Sequence, residues 1–345
     1  MQILEYKKKG RTYVIAEIGQ AHDGSLGILH SLIEVAANIG VDAVKFQMHI
    51  AEAESSISEP FRLNFSYEDQ TRYDYWKRME FSKKEWEFIK KKCDDLGVEF
   101  LVTPFSNTAI DWLENIGVEK YKVGSGDASN LLLLEKIAST KKEVIISSGL
   151  ATLDEIDQSI LIFKRNNIPY TIMQCTTKYP TPPNDVGLGW IKKFKERYNC
   201  PVGFSDHSGT IFSGLGAITL GAEVIEAHIT FDKKMFGPDS KASLTVNEFK
   251  KMIEGIRFIE MARGEGTKKD LTSEKKELRR IFGRAIAVNK KLSPGHIITI
   301  DDLEVKKPAD CGIPVNDFKK IIGKKLINHK NKWEFLDFND FNDFI

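Results

Sequence analysis

Two histidines in matched positions carry the clearest chemistry in the chain. His207 lies in Gly203-Phe-Ser-Asp-His-Ser208, which follows the short apolar run 201–204. His228 closes Glu226-Ala-His228, which follows the run 223–225. In a repeating β/α chain such runs read as strands, and active sites are built at the ends of parallel strands. Two imidazoles delivered by adjacent strand ends can share one divalent ion, for which neutral imidazole is a common ligand. Either histidine alone reads equally well as a packed, hydrogen-bonded residue; the matched pair favours a metal.

The polar residues that close the other runs extend the pattern. The first run ends in Glu17, and the second carries Lys45 and Gln47, two residues apart and so on one strand face. Thr103 ends the third. Lys122 and then Ser125 and Asp127 follow the fourth, Ser147 the fifth, Thr177 and Tyr179 the sixth, and Ser205 precedes His207. Asp239 sits in the loop after the eighth run. Each has a purely structural reading: an ion pair for Glu17 or the lysines, a helix cap for the hydroxyls, packing for Tyr179. Nearly every run closing on a polar group is harder to explain that way. Two lysines with several hydroxyls suit a small phosphorylated carboxylate, and two histidines suit a metal that polarises a carbonyl. Together they suggest condensation of an anionic phospho-compound with an aldehyde.

The elements that must position these groups are legible as a repeat. Strands are expected at 13–18, 42–46, 99–103, 120–124, 143–147, 170–175, 201–204 and 223–228. Segments such as 26–39, 83–96, 106–116, 153–165 and 212–220 carry apolar residues at helical spacing. Gly40, Gly97, Gly117 and Gly221 stand where helix C-caps belong, just before the next strand. Eight such units predict an α/β fold with a closed (β/α)8 barrel, in preference to a doubly wound open sheet. The connection 48–81 is far longer than a usual βα loop and is first acidic and then aromatic, which predicts an ordered wall over the barrel mouth. The expected division is a barrel over residues 1–265, a charged linker over 266–280 and a small β-rich module over 281–345, with strands at 285–288 and 297–299. The closing Asp337-Phe-Asn-Asp-Phe-Asn-Asp-Phe repeat reads as a terminal extension.

Composition narrows the class. The chain has 345 residues, 41% hydrophobic and 29% charged, enough for a full core, and a net charge of +1. That balance argues against a broad nucleic-acid or anionic-membrane surface while leaving room for a local anion pocket. The four cysteines form no CxxC pair, no apolar run approaches a membrane span, and the N-terminus has no apolar signal core, so a cytoplasmic protein with reduced thiols is expected.

Taken together, the motifs resemble the sialic acid synthase family. They are Ala16-Glu-Ile-Gly19 with His22-Asp-Gly24, Val44-Lys-Phe-Gln47, Thr103-Pro-Phe-Ser106, Tyr121-Lys-Val-Gly-Ser-Gly126, Ser147-Ser-Gly149, Cys175-Thr-Thr-Lys-Tyr-Pro180, Gly203-Phe-Ser-Asp-His207, Glu226-Ala-His228 and Gly237-Pro-Asp239. The C-terminal part resembles that family's antifreeze-like (SAF) domain. The resemblance implies joining phosphoenolpyruvate to an N-acylated amino sugar, giving a nine-carbon α-keto acid, in a domain-swapped homodimer. It implies catalytic roles for Glu17, Lys45, Lys122 and Asp127. It places Gln47, Thr103, Ser125, Ser147, Thr177, Tyr179, Ser205, Asp239 and Lys307 against the substrates. His207 and His228 become ligands of a divalent ion, typically manganese, with magnesium or cobalt as alternatives.

Asp127 stands in place of a glutamate, Thr177 and Ala21 in place of asparagines, and Lys307 in place of an arginine that reaches the sugar from the partner's cap. Lysine lacks the planar fork of arginine, so these differences fall on the sugar half and leave the aldose open: a mannosamine, a legionaminic- or pseudaminic-type diamino sugar, or a plain hexose. Two other readings stand beside this one. One is a synthase acting on a phosphorylated sugar, as for octulosonate; the other is a non-catalytic carbohydrate-binding scaffold, which a degenerate site would mark.

Overall fold

Strict alternation of inward and outward side chains along eight short strands organises the first unit. The structure, a computed structural model, describes residues 3–63, 65–263 and 272–342. The strands are β1 (Tyr13–Glu17), β2 (Ala43–Met48), β3 (Glu99–Pro104), β4 (Lys120–Val123), β5 (Glu143–Ser147), β6 (Tyr170–Cys175), β7 (Val202–Asp206) and β8 (Val224–Thr230). All are parallel, each pairs with the next, and β8 pairs back to β1, closing a (β/α)8 barrel. The expected open-sheet alternative is thereby excluded. Strands β2, β7 and β8 run past their expected ends, and β2 and β7 thereby take Gln47 and Ser205 into the ladder itself.

Inside the barrel the alternation sorts side chains into layers. At the floor, Tyr13 donates to Glu99 (2.8 Å) and Lys120 pairs with Glu99 (2.6 Å). Above them Ile15, Ala43, Leu101, Ile145, Met173 and Val224 form an apolar plug. Two residues further along the same strands come Glu17, Lys45, Thr103, Ser147 and Glu226. The outward residues, among them Val14, Val44, Phe100, Val144, Ile172 and Phe204, pack under the surrounding helices.

The helices begin and end where local chemistry says they should. Ser82, Ser106 and Thr152 accept hydrogen bonds from the first-turn amides of 83–96, 107–116 and 153–165, and Gly97 and Gly117 end the first two of these in the left-handed conformation. Helices at 131–139 and 190–198, which sequence periodicity did not single out, and the final helix at 246–262 complete the repeat.

The long connection after β2 is ordered by its own small core of Ala51, Tyr75, Trp76 and Met79, with Phe61, Phe65 and Tyr73 packed against it. Arg78 ties it to the β1 loop. Its guanidinium donates to Asp23 (2.7 Å) and to Asp69 (2.8 Å). Beside this clamp His22 is buried, and its Nδ1 accepts the Gly24 amide proton (3.1 Å).

The chain divides into two compact units, residues 1–264 and 265–345. Of the stretch read as a linker, 273–282 is an α-helix capped by Thr272, while 264–271 lies outside the described residues. The second unit pairs 285–288 antiparallel with 303–306; the strand expected at 297–299 is only an isolated bridge, Ile297 to Lys325. The terminal repeat is no extension as far as it is described. Leu336 and Phe341 are fully buried in the unit's core, and Asp340 accepts from Lys330 (2.6 Å). Among the described residues no helix is long and apolar enough to cross a membrane.

Burial, aided by His49 and Arg78, lowers the His22 pKa from 6.5 to about 3. The folded state therefore keeps His22 neutral where the unfolded chain protonates it. Its contribution is complete above pH 6.5 and is lost as pH falls toward 3, at about 1.4 kcal/mol per pH unit. Replacing His22 with Gln should make stability fall less steeply between pH 6 and 4 in urea titrations. Parallel losses in both proteins would show that His22 is already solvated.

Candidate active site

The upper layer of the barrel and the wall built by the long connection enclose a cavity of about 360 Å³. Every residue put forward from the sequence lines it except Lys307. Lys307 belongs to the second unit, where its ammonium lies 5.3 Å from the centre of the Phe282 ring.

Ladder register explains the inner end. β1 aligns Glu17 with Lys45 on one side and with His228 on the other, and β7 aligns Ser205 with Glu226. Lys45 reaches Glu17 at 2.9 Å and Glu226 at 3.8 Å, and Lys122 also lies 3.8 Å from Glu226. Lys122 donates to Ser147 (2.7 Å), Lys45 to Thr103 (3.4 Å), Ser205 to Glu226 (2.9 Å) and Gln47 to Glu17 (2.8 Å). Two ammonium groups and two carboxylates thus share one buried pocket.

Their charge states follow from competition between burial and pairing. Burial alone would raise the pKa of Glu226, but Lys122, Lys45 and the Ser205 hydroxyl outweigh it and bring it down to about 2. Burial pushes Glu17 up despite Lys45, with the Glu226 charge adding to the rise. Lys45 stays protonated because Glu17 and Glu226 overcome its burial. Lys122, which has Glu226 as its one carboxylate partner among the described residues, is lowered by burial.

Oε2 of Glu226 and Oγ1 of Thr177 are buried without a hydrogen-bond partner among the described residues. Such groups are rare in folded proteins unless a ligand or water completes them. Close packing continues at Gly149, where a Cβ would come within 2.5 Å of Thr177 Oγ1 and 2.8 Å of Ser125 Oγ.

The two imidazoles stand side by side, ring centres 5.3 Å apart. His207 Nδ1 is 2.9 Å from the Thr176 carbonyl and Nε2 is 2.9 Å from the Tyr179 hydroxyl. A proton on Nδ1, donated to that carbonyl, leaves the Nε2 lone pair on the cavity side, the arrangement that orients a metal-binding histidine. His228 makes no hydrogen bond to a described residue, and burial lowers its pKa to about 3, so the ring is neutral at neutral pH, with one nitrogen bearing a hydrogen and the other offering a lone pair. Burial also works against protonating His207, but Cys175 and the Thr176 carbonyl prevail and raise its pKa. Among the described residues no third His, Cys, Asp or Glu completes a ligand cluster. Two neighbouring imidazoles, one of them oriented by the Thr176 carbonyl, are a donor set that a divalent ion could take, with water and substrate completing its shell.

At the outer end Asp127, Tyr179 and Asp239 are joined by residues that motif spacing did not reveal. His49 is stacked between Trp76 (3.9 Å) and Phe105 (4.6 Å). Arg62 pairs with Asp239 at 2.7 Å and covers the Tyr179 ring at 4.2 Å. Glu54, Glu59 and Arg72 complete this side, and Asp127, pushed up in pKa by burial, accepts from Asn130 (2.9 Å). Most of these come from the long connection, where no regular period aims side chains. Glu226 was within reach of the sequence, since it precedes His228 by two residues and must share its strand face. Cys175, which closes β6, was within reach for the same reason.

A family-wide pattern, described as the NeuB family, matches residues 32–268. The chain belongs to the NeuB family. Over 325 residues this NeuB-family chain is 37% identical to the N,N'-diacetyllegionaminic acid synthase of Campylobacter jejuni, covering 91% of this chain and 95% of that one. It is 32% identical over 319 residues to human N-acetylneuraminate-9-phosphate synthase, covering 91% and 88%. Among solved structures, the sialic acid synthetase of Leptospira borgpetersenii superposes with a TM-score of 0.69 at 32% identity, covering 77% of this chain and 90% of that one.

Replacing Lys45 with Met would leave Glu17 and Glu226 facing each other with their shared cation gone. Breaking a buried pair from one side costs about 3–5 kcal/mol, and a loss of that order is expected in urea unfolding. Lys122→Met leaves Glu226 paired with Lys45 and should cost less. Equal losses would show that the two lysines are not distinguished by Glu17.

Proposed function

We propose that this chain condenses phosphoenolpyruvate with the open-chain aldehyde of an N-acylated amino sugar, giving a nine-carbon 3-deoxy-2-keto acid and phosphate. The observation that carries this reading is the pair of buried lysines placed in one cavity with two metal-competent histidines. Phosphoenolpyruvate brings a carboxylate and a phosphate, and the buried ammonium groups of Lys45 and Lys122 offset that charge. Thr103, Ser125, Ser147 and Ser205 supply neutral donors around them. The relatives named above, synthases of sialic-type acids, support the same class of reaction.

His207 and His228 would hold a divalent ion, manganese in this reading, which when bound polarises the aldehyde oxygen. C3 of phosphoenolpyruvate attacks the aldehyde carbon, water adds at C2, and the tetrahedral intermediate loses phosphate by C–O cleavage. The chain's own groups position these events. Lys45 and Lys122 stabilise the charge that gathers on the departing phosphate. Glu17, held by Lys45 and Gln47 and raised in pKa by burial, is suited to exchange a proton with the attacking water or the new hydroxyl. Gln47, Asp127, Thr177, Tyr179 and Asp239 face the sugar. The reading includes a cytoplasmic homodimer in which the C-terminal unit of one chain caps the barrel of the other and brings Lys307 to the sugar.

Phosphate release should appear when the protein is given phosphoenolpyruvate, manganese and a free N-acylated aldose, with the product mass of the condensed acid. Chelation should abolish it, and His228→Ala should lower kcat/KM by more than about a hundredfold, as loss of several kcal/mol of transition-state stabilisation requires. Full turnover under chelation removes the metal role. No release with any aldose, free or phosphorylated, overturns the reaction.

A further inference from the structure

We infer that Arg62 is a specificity-determining residue that donates to the carbonyl oxygen of an acylamino group on an uncharged aldose. This role presupposes the condensation proposed above and assigns the class of sugar that it leaves open.

Arg62 comes from the long connection, outside the β/α repeat, yet its guanidinium lies across the cavity. One terminal nitrogen donates to Asp239 (2.7 Å), and the planar group covers the Tyr179 ring at 4.2 Å. Its other N–H groups meet no acceptor among the described residues, and about a third of the side chain (36%) is exposed. Tyr179 in turn sits on His207 (2.9 Å). A guanidinium held on one edge by a carboxylate and on its face by a ring is fixed in orientation, with free donors toward the cavity.

Charge decides which acceptor those donors meet. The outer end carries Glu54, Glu59, Asp127 and Asp239 against the guanidinium groups of Arg62 and Arg72. Arg72 is already paired with Glu59 at 2.9 Å, as Arg62 is with Asp239. A phosphate carried on the sugar would meet more carboxylates than cations, and the charge of each cation is already offset by one of them. An uncharged sugar has no such conflict. The strongest acceptor it can carry is an amide carbonyl, whose two lone pairs suit the donors Arg62 leaves free.

The test compares wild type, Arg62→Lys and Arg62→Met with manganese and phosphoenolpyruvate. Three sugars are used: an N-acetylated hexosamine, the same sugar bearing a terminal phosphate, and the plain hexose. Wild type should prefer the unphosphorylated N-acetyl sugar. Both variants should raise its KM at least about tenfold, the effect of losing a charge-assisted hydrogen bond, while the KM for phosphoenolpyruvate stays within about twofold. Their preference for the N-acetyl sugar over the plain hexose should shrink. Preference for the phosphorylated sugar, unchanged KM in both variants, or equal losses for acylated and plain sugars would overturn the assignment. If wild type turns over no sugar, saturation-transfer NMR of the N-acetyl sugar still reads Arg62. Binding that is lost in Arg62→Met would support its role even as the condensation fails, whereas binding unchanged in the variant, or absent from wild type, would overturn it.

Discussion

The period-two alternation of a strand, imposed on a closed parallel barrel, is the constraint on which this molecule rests. Closure leaves the interior only a few side chains wide, so each strand can offer just two or three residues to it. Here those positions are occupied in layers: an ion-paired floor around Glu99 and Lys120, an apolar plug from Ile15 to Met173, and a reactive layer from Glu17 to His228. A slip of one residue in any strand would turn its reactive group outward under a helix and bring an apolar one into the cavity. The apolar plug thus sets the register that places the site.

Within that layer the charges are balanced rather than accumulated. Lys45 and Lys122 would be costly to bury alone, and Glu17 and Glu226 make their burial tolerable at distances of 2.9 to 3.8 Å. The two lysines are not equivalent. Lys45 is held charged between two carboxylates, whereas Lys122 has one and is lowered by burial. In the reaction proposed, an arriving anionic phospho-compound would find ammonium groups already aimed and hydroxyls already oriented, so that little reorganisation would accompany the change of charge.

The outer half of the cavity obeys a different logic. It is built by a segment with its own small core around Tyr75 and Trp76, pinned by Arg78 to Asp23 and Asp69. In the proposed reaction the barrel strands would therefore supply the anion-binding and metal-competent groups, and this segment the wall that meets the second reactant. Such a division lets the wall vary in sequence without disturbing the ladder that holds the chemistry.

What the sequence determined by itself is whatever strand and helix periodicity can carry. The eight β/α units, the caps at Gly97 and Gly117, and the barrel-mouth position of Glu17, Lys45, Thr103, Lys122, Ser147 and the histidine pair follow from local patterns. Glu226 obeys the same rule, two residues before His228. Tertiary structure alone decided the rest. The stacking of His49 between Trp76 and Phe105, the reach of Arg62 to Asp239 across 177 positions, and the burial of Phe341 in the second unit join residues with no common period. Periodicity aims a side chain only along its own element; which distant side chains meet is set by packing and by pairing of charge, and both come into being only when the chain has closed on itself.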